Sequence, residues 1–285
     1  MIKSLTVIGH RTNLIPHFVE HYSRYVDEIQ LVIYESNSYP NLGKEIYEIT
    51  ENYPNVKIVK IVRDKIYDWQ KVTTLYNMYK SKNPNDWWVI ADIDELHLYP
   101  YDNIQQTIND CDENGWEIVR GGVIDRVGPN GSFPIITNDE TIWEQFPNSG
   151  FVRHSMSKFS PNKICLVKGN IELTLRNQYV KIDGQTTWKW QGWSHPLIAP
   201  FHDYSIQVHH FKWDSTSIDR IKEVAQIKQE YANSSEYESI FKSLFKNKFK
   251  IDVENPEYMF EFGLTQPEYI RYRNWKNLMN KIVTI

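Results

Sequence analysis

Cysteine is scarce in this chain: its 285 residues hold only Cys111 and Cys165. Two cysteines so placed form neither a metal-ligand spacing nor a disulfide framework, and a reducing, cytoplasmic setting is the expectation. Long apolar runs are missing. No stretch approaches the ~20 residues that cross a bilayer, so no integral membrane segment is expected. Met1 to His10 is short and polar for a signal peptide and reads as a first strand. An excess of one charge is missing too. Lysine and arginine total 32 against 36 acids, a net charge of −4. That argues against nucleic acid as the main partner and leaves room for local basic patches. There is no glycine-rich phosphate loop: the turn after the first strand candidate, Gly9-His10-Arg11-Thr12-Asn13, has a single glycine. No repeat, low-complexity tract or linker stands out. Asn233-Ser234-Ser235 matches the glycosylation pattern, but single matches arise by chance.

Apolar residues make up 41% of the chain, with 10 Trp, 18 Tyr and 12 Phe. That composition is enough for one large α/β domain, or for one domain with an appendage. Strand and helix signals alternate over the first hundred residues. Leu5–Gly9 is strand-like. Ile15, Phe18, Val19, Tyr22, Tyr25 and Val26 follow helical spacing, with Pro16 tolerable in a first turn. Ile29–Tyr34 is a second strand and Leu42, Ile46 and Ile49 mark a second helix. Val56–Val62 is β-branched and reads as a third strand. Trp69, Val72, Leu75, Tyr76 and Tyr79 mark a third helix, which Asn83-Pro84-Asn85 breaks. This order implies a parallel sheet with right-handed crossovers. A helix over about Asn103 to Asn114 leads to Trp116–Val119. Residues 120 to 213 then read as short strands and turns in mixed or antiparallel sheet. Helical spacing returns from about Ser215.

The most informative segment is Trp87-Trp88-Val89-Ile90-Ala91-Asp92-Ile93-Asp94-Glu95-Leu96. Its apolar run suits a strand buried on both faces, and the acids begin where that strand stops. In open α/β sheets ligands bind outside the carboxyl ends of the strands. Three carboxylates gathered there repel unless a cation or a hydrogen-bond network compensates them, and hard divalent ions favour such oxygens. The segment points to a metal site able to hold a phosphorylated substrate. The bland reading is that Asp92 and Asp94 cap a following helix. An EF-hand needs further oxygen ligands and a glycine that this segment lacks. The haloacid-dehalogenase type places its acids after the first strand, not the fourth.

With these residues in view, the chain resembles a GT-A glycosyltransferase of the family 2-like kind, related in pattern to family 92. The resemblance rests first on Gly9-His10-Arg11-Thr12-Asn13 with Tyr34-Glu35-Ser36-Asn37-Ser38, where Glu35 replaces the usual Asp. It rests next on Asp86-Trp87 through Asp94-Glu95-Leu96. It then takes in Gly122-Val123-Ile124-Asp125-Arg126-Val127-Gly128 with Gly131 and Phe146-Pro147, and finally His209-His210-Phe211-Lys212-Trp213-Asp214. It covers about residues 1 to 214 and none of the last seventy.

The resemblance implies a nucleotide-sugar donor, usually a UDP-sugar, and a divalent metal, Mn²⁺ or Mg²⁺. Transfer from a diphosphate builds negative charge on the leaving group, which a metal neutralises without proton movement. Asp94 is the first choice as direct ligand. Asp92 would reach ribose or metal, and Glu95 would stand behind them. Strand alternation puts His210 and Lys212 on one face, suiting a metal ligand and a diphosphate contact, and His209 and Phe211 on the other. Arg11, Glu35, Arg63 and Lys71 are candidates for the nucleotide, with Lys71 equally readable as a solvated helix-face lysine. Asp125 is the candidate base for an acceptor hydroxyl, or else a structural partner of Arg126. The bare backbone at Gly121-Gly122 could admit a sugar, and Trp188, Trp190 and Trp193 could stack on one or simply pack a loop.

The expected architecture is a single GT-A-like α/β domain over residues 1–214. Residues 1–100 form its nucleotide-binding, Rossmann-like half and 101–214 its acceptor half, on a mixed central sheet. A helical C-terminal extension, 215–285, packs on it. The expected activity is metal-dependent hexosyl transfer from a nucleotide sugar to a hydroxyl of an unidentified acceptor. Two alternatives stay open: a nucleotidyltransferase acting on sugar phosphates, against which the single glycine after strand one counts, and a non-catalytic sugar-binding relative.

Overall fold

A computed structural model describes residues 1–100, 103–158, 161–174, 177–186, 195–226 and 234–259. The described residues divide into two compact units. The first joins Met1–Gly122 to Asn162–Val208, and the second joins Val123–Pro161 to the residues from His209 on. The division does not fall at residue 214. The second unit combines part of the expected acceptor half with the C-terminal helices.

The first unit opens with the β/α rhythm read from the sequence. β1 (Ile2–Ile8), α1 (Ile15–Tyr22), β2 (Glu28–Glu35), α2 (Leu42–Thr50), β3 (Val56–Arg63), α3 (Trp69–Lys80) and β4 (Trp87–Ile90) follow in turn. β1 pairs in parallel with both β2 and β4, and β2 with β3. The four residues of β4 are all buried, as a strand covered on both faces requires. Local chemistry fixes the helix ends. Asp68 accepts from the backbone of Gln70 and Lys71 at the start of α3, satisfying donors that a helix leaves unpaired.

β5 (Glu95–Leu98) and α4 (Ile104–Asn114) come next, then the long β6 (Ile118–Val127). After a detour through the second unit the chain returns as β8 (Asn162–Lys168), antiparallel to both β4 and β6. The sheet runs β3-β2-β1-β4-β8-β6-β12-β5, where β12 is Ile206–His210. It is a mixed α/β sheet of Rossmann-like order, as expected for the class. β9 (Glu172–Thr174), β10 (Tyr179–Ile182) and β11 (Gln185–Thr186) form a separate small sheet, and α7 (Phe201–Tyr204) precedes β12. Leu5, Val7, Trp88, Ile90, Val72, Tyr76, Ile164 and Val167 share one buried core. Gly121 serves this packing: a Cβ there would lie 2.4 Å from the Ile206 carbonyl oxygen and 2.5 Å from Cys165 Sγ.

The second unit holds α5 (Ile142–Gln145), β7 (Asn148–Gly150), α6 (Val152–Ser157), α8 (Ser217–Gln226) and α9 (Ser234–Lys246). β7 pairs with the far end of β6. Val127, Val152, Trp213, Ile221, Ile240 and Leu244 form its core. Among the described residues no helix is long and apolar enough to cross a membrane.

His21 and His97 lie inside the first unit. His21 Nε2 meets the His97 carbonyl at 2.8 Å, and the His97 ring packs against Tyr22 and Tyr99. Burial lowers His21 from 6.5 to about 4, and lowers His97 well below its ordinary value. Folded chains keep these rings neutral, while unfolded chains take up protons once the pH falls below 6.5. The stability they confer is complete above 6.5 and is lost as the pH falls towards 4. Each group contributes a slope of at most about 1.4 kcal/mol per pH unit. Urea unfolding between pH 7 and 4.5 should show this decline, and His21→Gln should flatten it by about one proton. A slope unchanged by that substitution would refute the assignment.

Candidate active site

The C-terminal ends of the parallel strands meet where the strand order reverses, with β1 between β2 and β4. Such a switch point is where open α/β sheets place their ligands. Asp92 and Asp94 lie in the turn that follows β4. Glu95 N–H donates to the Asp92 carbonyl at 2.9 Å, and Asp92 N–H donates to Glu95 Oε2 at 2.9 Å. The next element is β5, so these acids cap no helix.

Two cations from elsewhere in the first unit answer the repulsion among the three carboxylates. Lys163, at the head of β8, bonds Asp92 Oδ2 at 2.9 Å and also Glu95 Oε2. Its side chain is only 5% exposed. Burial alone pushes its ammonium down. The Asp92 and Glu95 carboxylates outweigh that and hold it above the ordinary lysine value. Arg11 pairs with Asp94 Oδ2. Its backbone is left-handed, with φ of 63°, a conformation that costs a non-glycine residue about 1–2 kcal/mol and that clusters at functional sites. Tyr76, from α3, ties the arrangement together. Its buried hydroxyl is shared between the Ala91 carbonyl at 3.1 Å and Asp92 Oδ1 at 3.4 Å, and accepts from Val7 N–H at 3.4 Å. Gly9 lets the Tyr67 ring lie against the end of β1, since a Cβ there would be 2.3 Å from it.

The other nucleotide candidates form pairs along the same strand ends. Buried Glu35 accepts from Gly43 N–H at 2.9 Å, at the start of α2, and from Arg63 Nε at 2.8 Å. The Arg63 side chain is otherwise exposed. Lys71 bonds Asp64 at 2.7 Å and lies over the Tyr34 ring. Gly122 is buried in β6 opposite Asn162. Trp188, Trp190 and Trp193 fall outside the described residues.

In the second unit Asp125 is buried and receives three donors. Arg153 N–H reaches Oδ2 at 2.7 Å, while Trp213 Nε1 and His210 Nδ1 both reach Oδ1 at 3.1 Å. Facing a carboxylate, Nδ1 is the ring nitrogen of His210 that donates. Arg126 lies over the Trp143 ring and donates to the Pro147 carbonyl at 3.3 Å. His209 and Phe211 both meet Trp143, so they share a face as strand alternation requires. The Lys212 ammonium sits over the ring of Tyr237 at 4.5 Å. Burial raises the Tyr237 phenol, but Lys212 and Arg220 prevail and bring it down to about 8.

The sequence reading missed Lys163, Tyr76 and the Trp213 indole. Lys163 had one signal, a lysine at the head of an otherwise apolar run, Ile164-Cys165-Leu166-Val167. Its partners stand about seventy positions away, and nothing local names them.

A hard divalent cation would find only part of its shell here. Among the described residues no three His, Cys, Asp or Glu side chains converge as a cation cage. Mg²⁺-type ions are commonly held by one or two carboxylates, with substrate phosphates and water completing the shell. Asp92 and Asp94, at 28% and 15% side-chain exposure, offer that kind of partial shell.

No protein-family model and no curated protein matches the chain. Three solved structures share part of the fold. One is a candidate glucose-1-phosphate thymidylyltransferase from Bacillus anthracis in complex with sucrose. It is 11% identical over 50% of this chain and 63% of that one, with a TM-score of 0.30. The chain therefore spans under two thirds of that protein's length. A second is 4-diphosphocytidyl-2C-methyl-D-erythritol synthase, 13% identical over 59% and 75% of the two chains, with a TM-score of 0.31. A third is mannose-6-phosphate isomerase from Helicobacter pylori, 14% identical over 59% and 71%, with a TM-score of 0.33. None of these three is named as a glycosyltransferase, and likeness at this level carries no argument about function.

Lys163→Met should be strongly destabilising, because it strands two carboxylates beside an apolar side chain. Breaking a buried ion pair from one side costs about 3–5 kcal/mol, readable by urea unfolding at pH 7. Adding Glu95→Gln should recover part of the loss. A single variant as stable as the parent would show that the ammonium does not hold the acid turn.

Proposed function

We propose that the chain is an enzyme acting on a nucleotide-linked sugar. Within that class we read it as a metal-dependent glycosyltransferase of GT-A type, moving a hexose from a UDP-sugar to an acceptor hydroxyl. The observation that carries the proposal is the placement of Arg11 and the Asp92-x-Asp94 turn on either side of the β1–β4 switch point, joined by an ion pair. A dinucleotide or mononucleotide phosphate belongs at such a place, and fixed cations beside carboxylates suit a developing diphosphate.

In this reading Asp94 is the direct ligand of Mn²⁺ or Mg²⁺, with Asp92 shared between the ion and the ribose. When bound, the ion supplies positive charge to the departing diphosphate. Arg11 binds phosphate once released from Asp94. Lys163 stays in place and keeps Asp92 and Glu95 oriented. Glu35, Arg63 and Lys71 are assigned to the base and ribose, Lys212 to phosphate, and Gly122, Trp190 and Trp193 to sugar. His210 is kept as a cation ligand through Nε2, because a carboxylate behind a histidine is how ligating imidazoles are held. Asp125, with three donors upon it, is assigned to positioning that ring rather than to taking the acceptor proton.

A second reading, nucleotidyl transfer onto a sugar phosphate, is favoured by the same strand-end cluster. Arg11 would meet the phosphate under attack without needing a glycine-rich loop, while Lys163 holds the acid turn.

Incubation with a panel of UDP-sugars and Mn²⁺ should release UDP. Asp94→Ala should lower that release at least ~100-fold, as loss of a charge-stabilising contact does, and should abolish metal-dependent UDP binding. Pyrophosphate released from nucleoside triphosphate and sugar 1-phosphate, with no UDP release, would select the second reading. Absence of both, together with no UDP binding, would refute the class.

A further inference from the structure

We infer that the C-terminal end of α9 is a docking surface for an anionic lipid bilayer. In a chain of net charge −4, the thirteen residues between Glu238 and Asp252 carry four lysines and no acid. Three phenylalanines alternate with those lysines at Phe241, Phe245 and Phe249.

The structure brings the three rings together. The line Tyr237, Ile240 and Leu244 is buried in the second unit's core. Phe241 and Phe245 lie one turn apart beside it, and Phe245 is 66% exposed. The helix end then folds the third ring onto the other two. Lys248 and Phe249 both take left-handed backbone, with φ of 53° and 56°, which is uncommon outside glycine. The Phe249 N–H reaches back to the Leu244 carbonyl at 2.7 Å, a helix stop of the Schellman kind. The Phe249 ring thereby comes to 5.9 Å from Phe241 and 6.0 Å from Phe245.

Lys242, Lys246, Lys248 and Lys250, which neighbour these rings in sequence, are exposed. Lys242 is paired with Glu238 at 2.7 Å, which assigns most of the attraction to the other three. Acids resume only beyond Ile251, which is buried and bonded through its backbone N–H to the Gly131 carbonyl.

The exposed Phe245 ring, resting on two half-buried rings in a lysine-rich segment, matches the boundary of an anionic membrane. Rings enter the acyl edge there while ammonium groups meet phosphates. A protein partner would need a complementary acidic, apolar patch, whereas a bilayer supplies both layers everywhere. No spanning segment is required, and the inference stands or falls separately from the nucleotide-sugar reading.

Flotation of the full chain with lipid vesicles tests it. Recovery is expected with phosphatidylcholine vesicles that contain phosphatidylglycerol, and not with phosphatidylcholine alone. Raising salt from ~0.1 M to ~0.5 M should release the protein, because shorter screening lengths weaken the attraction. The triple variant Lys246→Glu, Lys248→Glu and Lys250→Glu should lose at least tenfold in affinity, given roughly fivefold per lysine. Phe245→Ser should weaken binding while leaving the thermal unfolding temperature unchanged. No binding to anionic vesicles at low salt would overturn the inference, as would binding that survives the triple reversal. Full binding by Phe245→Ser would leave only a patch for soluble polyanions. A concentration-dependent dimer abolished by Phe245→Ser, with no vesicle binding, would give the surface to a second copy of the chain.

Discussion

Lys163 reaches from β8 into the sheet with its ammonium between Asp92 and Glu95, and the geometry of the acid turn depends on that placement. A charge at 5% side-chain exposure survives only if paired, so Lys163 needs the carboxylates as much as they need it. The turn is closed a second time by backbone: Asp92 N–H to Glu95 Oε2 and Glu95 N–H to the Asp92 carbonyl. Lys163, Asp92 and Glu95 therefore form one unit, whose parts come from β8, the end of β4 and the start of β5. Since β5 lies at the opposite edge of the strand order from β3, the turn also commits the chain to crossing the sheet.

From that anchor the arrangement of the strand ends of the first unit follows. Tyr76 spans Val7 and Ala91, which sets β1 against β4 at the strand ends. Arg11 turns through a left-handed residue and meets Asp94. Glu35 holds both the start of α2 and Arg63. Each of these strand ends thus carries charge, and each of these groups is matched to a partner from a neighbouring element. Such matching lowers the cost of gathering charge at a sheet edge, and it orients side chains that a flexible loop would leave to chance.

How much of this could be read from residues alone depends on where the partners stand. The β/α half was legible because its signals are local. Periods of 2 and 3.6 in Ile29–Tyr34 or Trp69–Tyr79, and the break at Asn83-Pro84-Asn85, need no distant residue. The acids after Trp87–Ile90 were legible for the same reason, since an apolar run ending in carboxylates marks a strand end. The antiparallel insertion of β8 between β4 and β6 was not legible: short strands separated by turns do not announce which edge they join. Lys163 was hidden with it. So was the turn of Asp125 towards Trp213 and His210, because adjacent Arg126 offered a nearer partner in sequence, yet points to the opposite face of β6. The grouping of Val123–Pro161 with the C-terminal helices was equally hidden, since it rests on contacts between Val127 or Val152 and Ile221 or Leu244.

The repulsion that first suggested a metal therefore has a different answer in the folded chain. Two side-chain cations already balance most of the charge of Asp92, Asp94 and Glu95, so the fold itself does not demand an ion there. The two cations are not equivalent, however. Lys163 is buried between two acids and could leave only by stranding both. Arg11 meets a single acid that is 15% exposed, and its guanidinium fits phosphate as well as carboxylate. An incoming diphosphate with its own divalent ion could take both members of that pair, the ion going to Asp94 and the phosphate to Arg11, with no net charge stranded. On the proposed reading, the Arg11–Asp94 pair would hold the place of the substrate and the Lys163 cluster would be the fixed frame around it. A need for metal would belong to binding and chemistry rather than to folding, which is the division expected where phosphate oxygens complete the ion's shell.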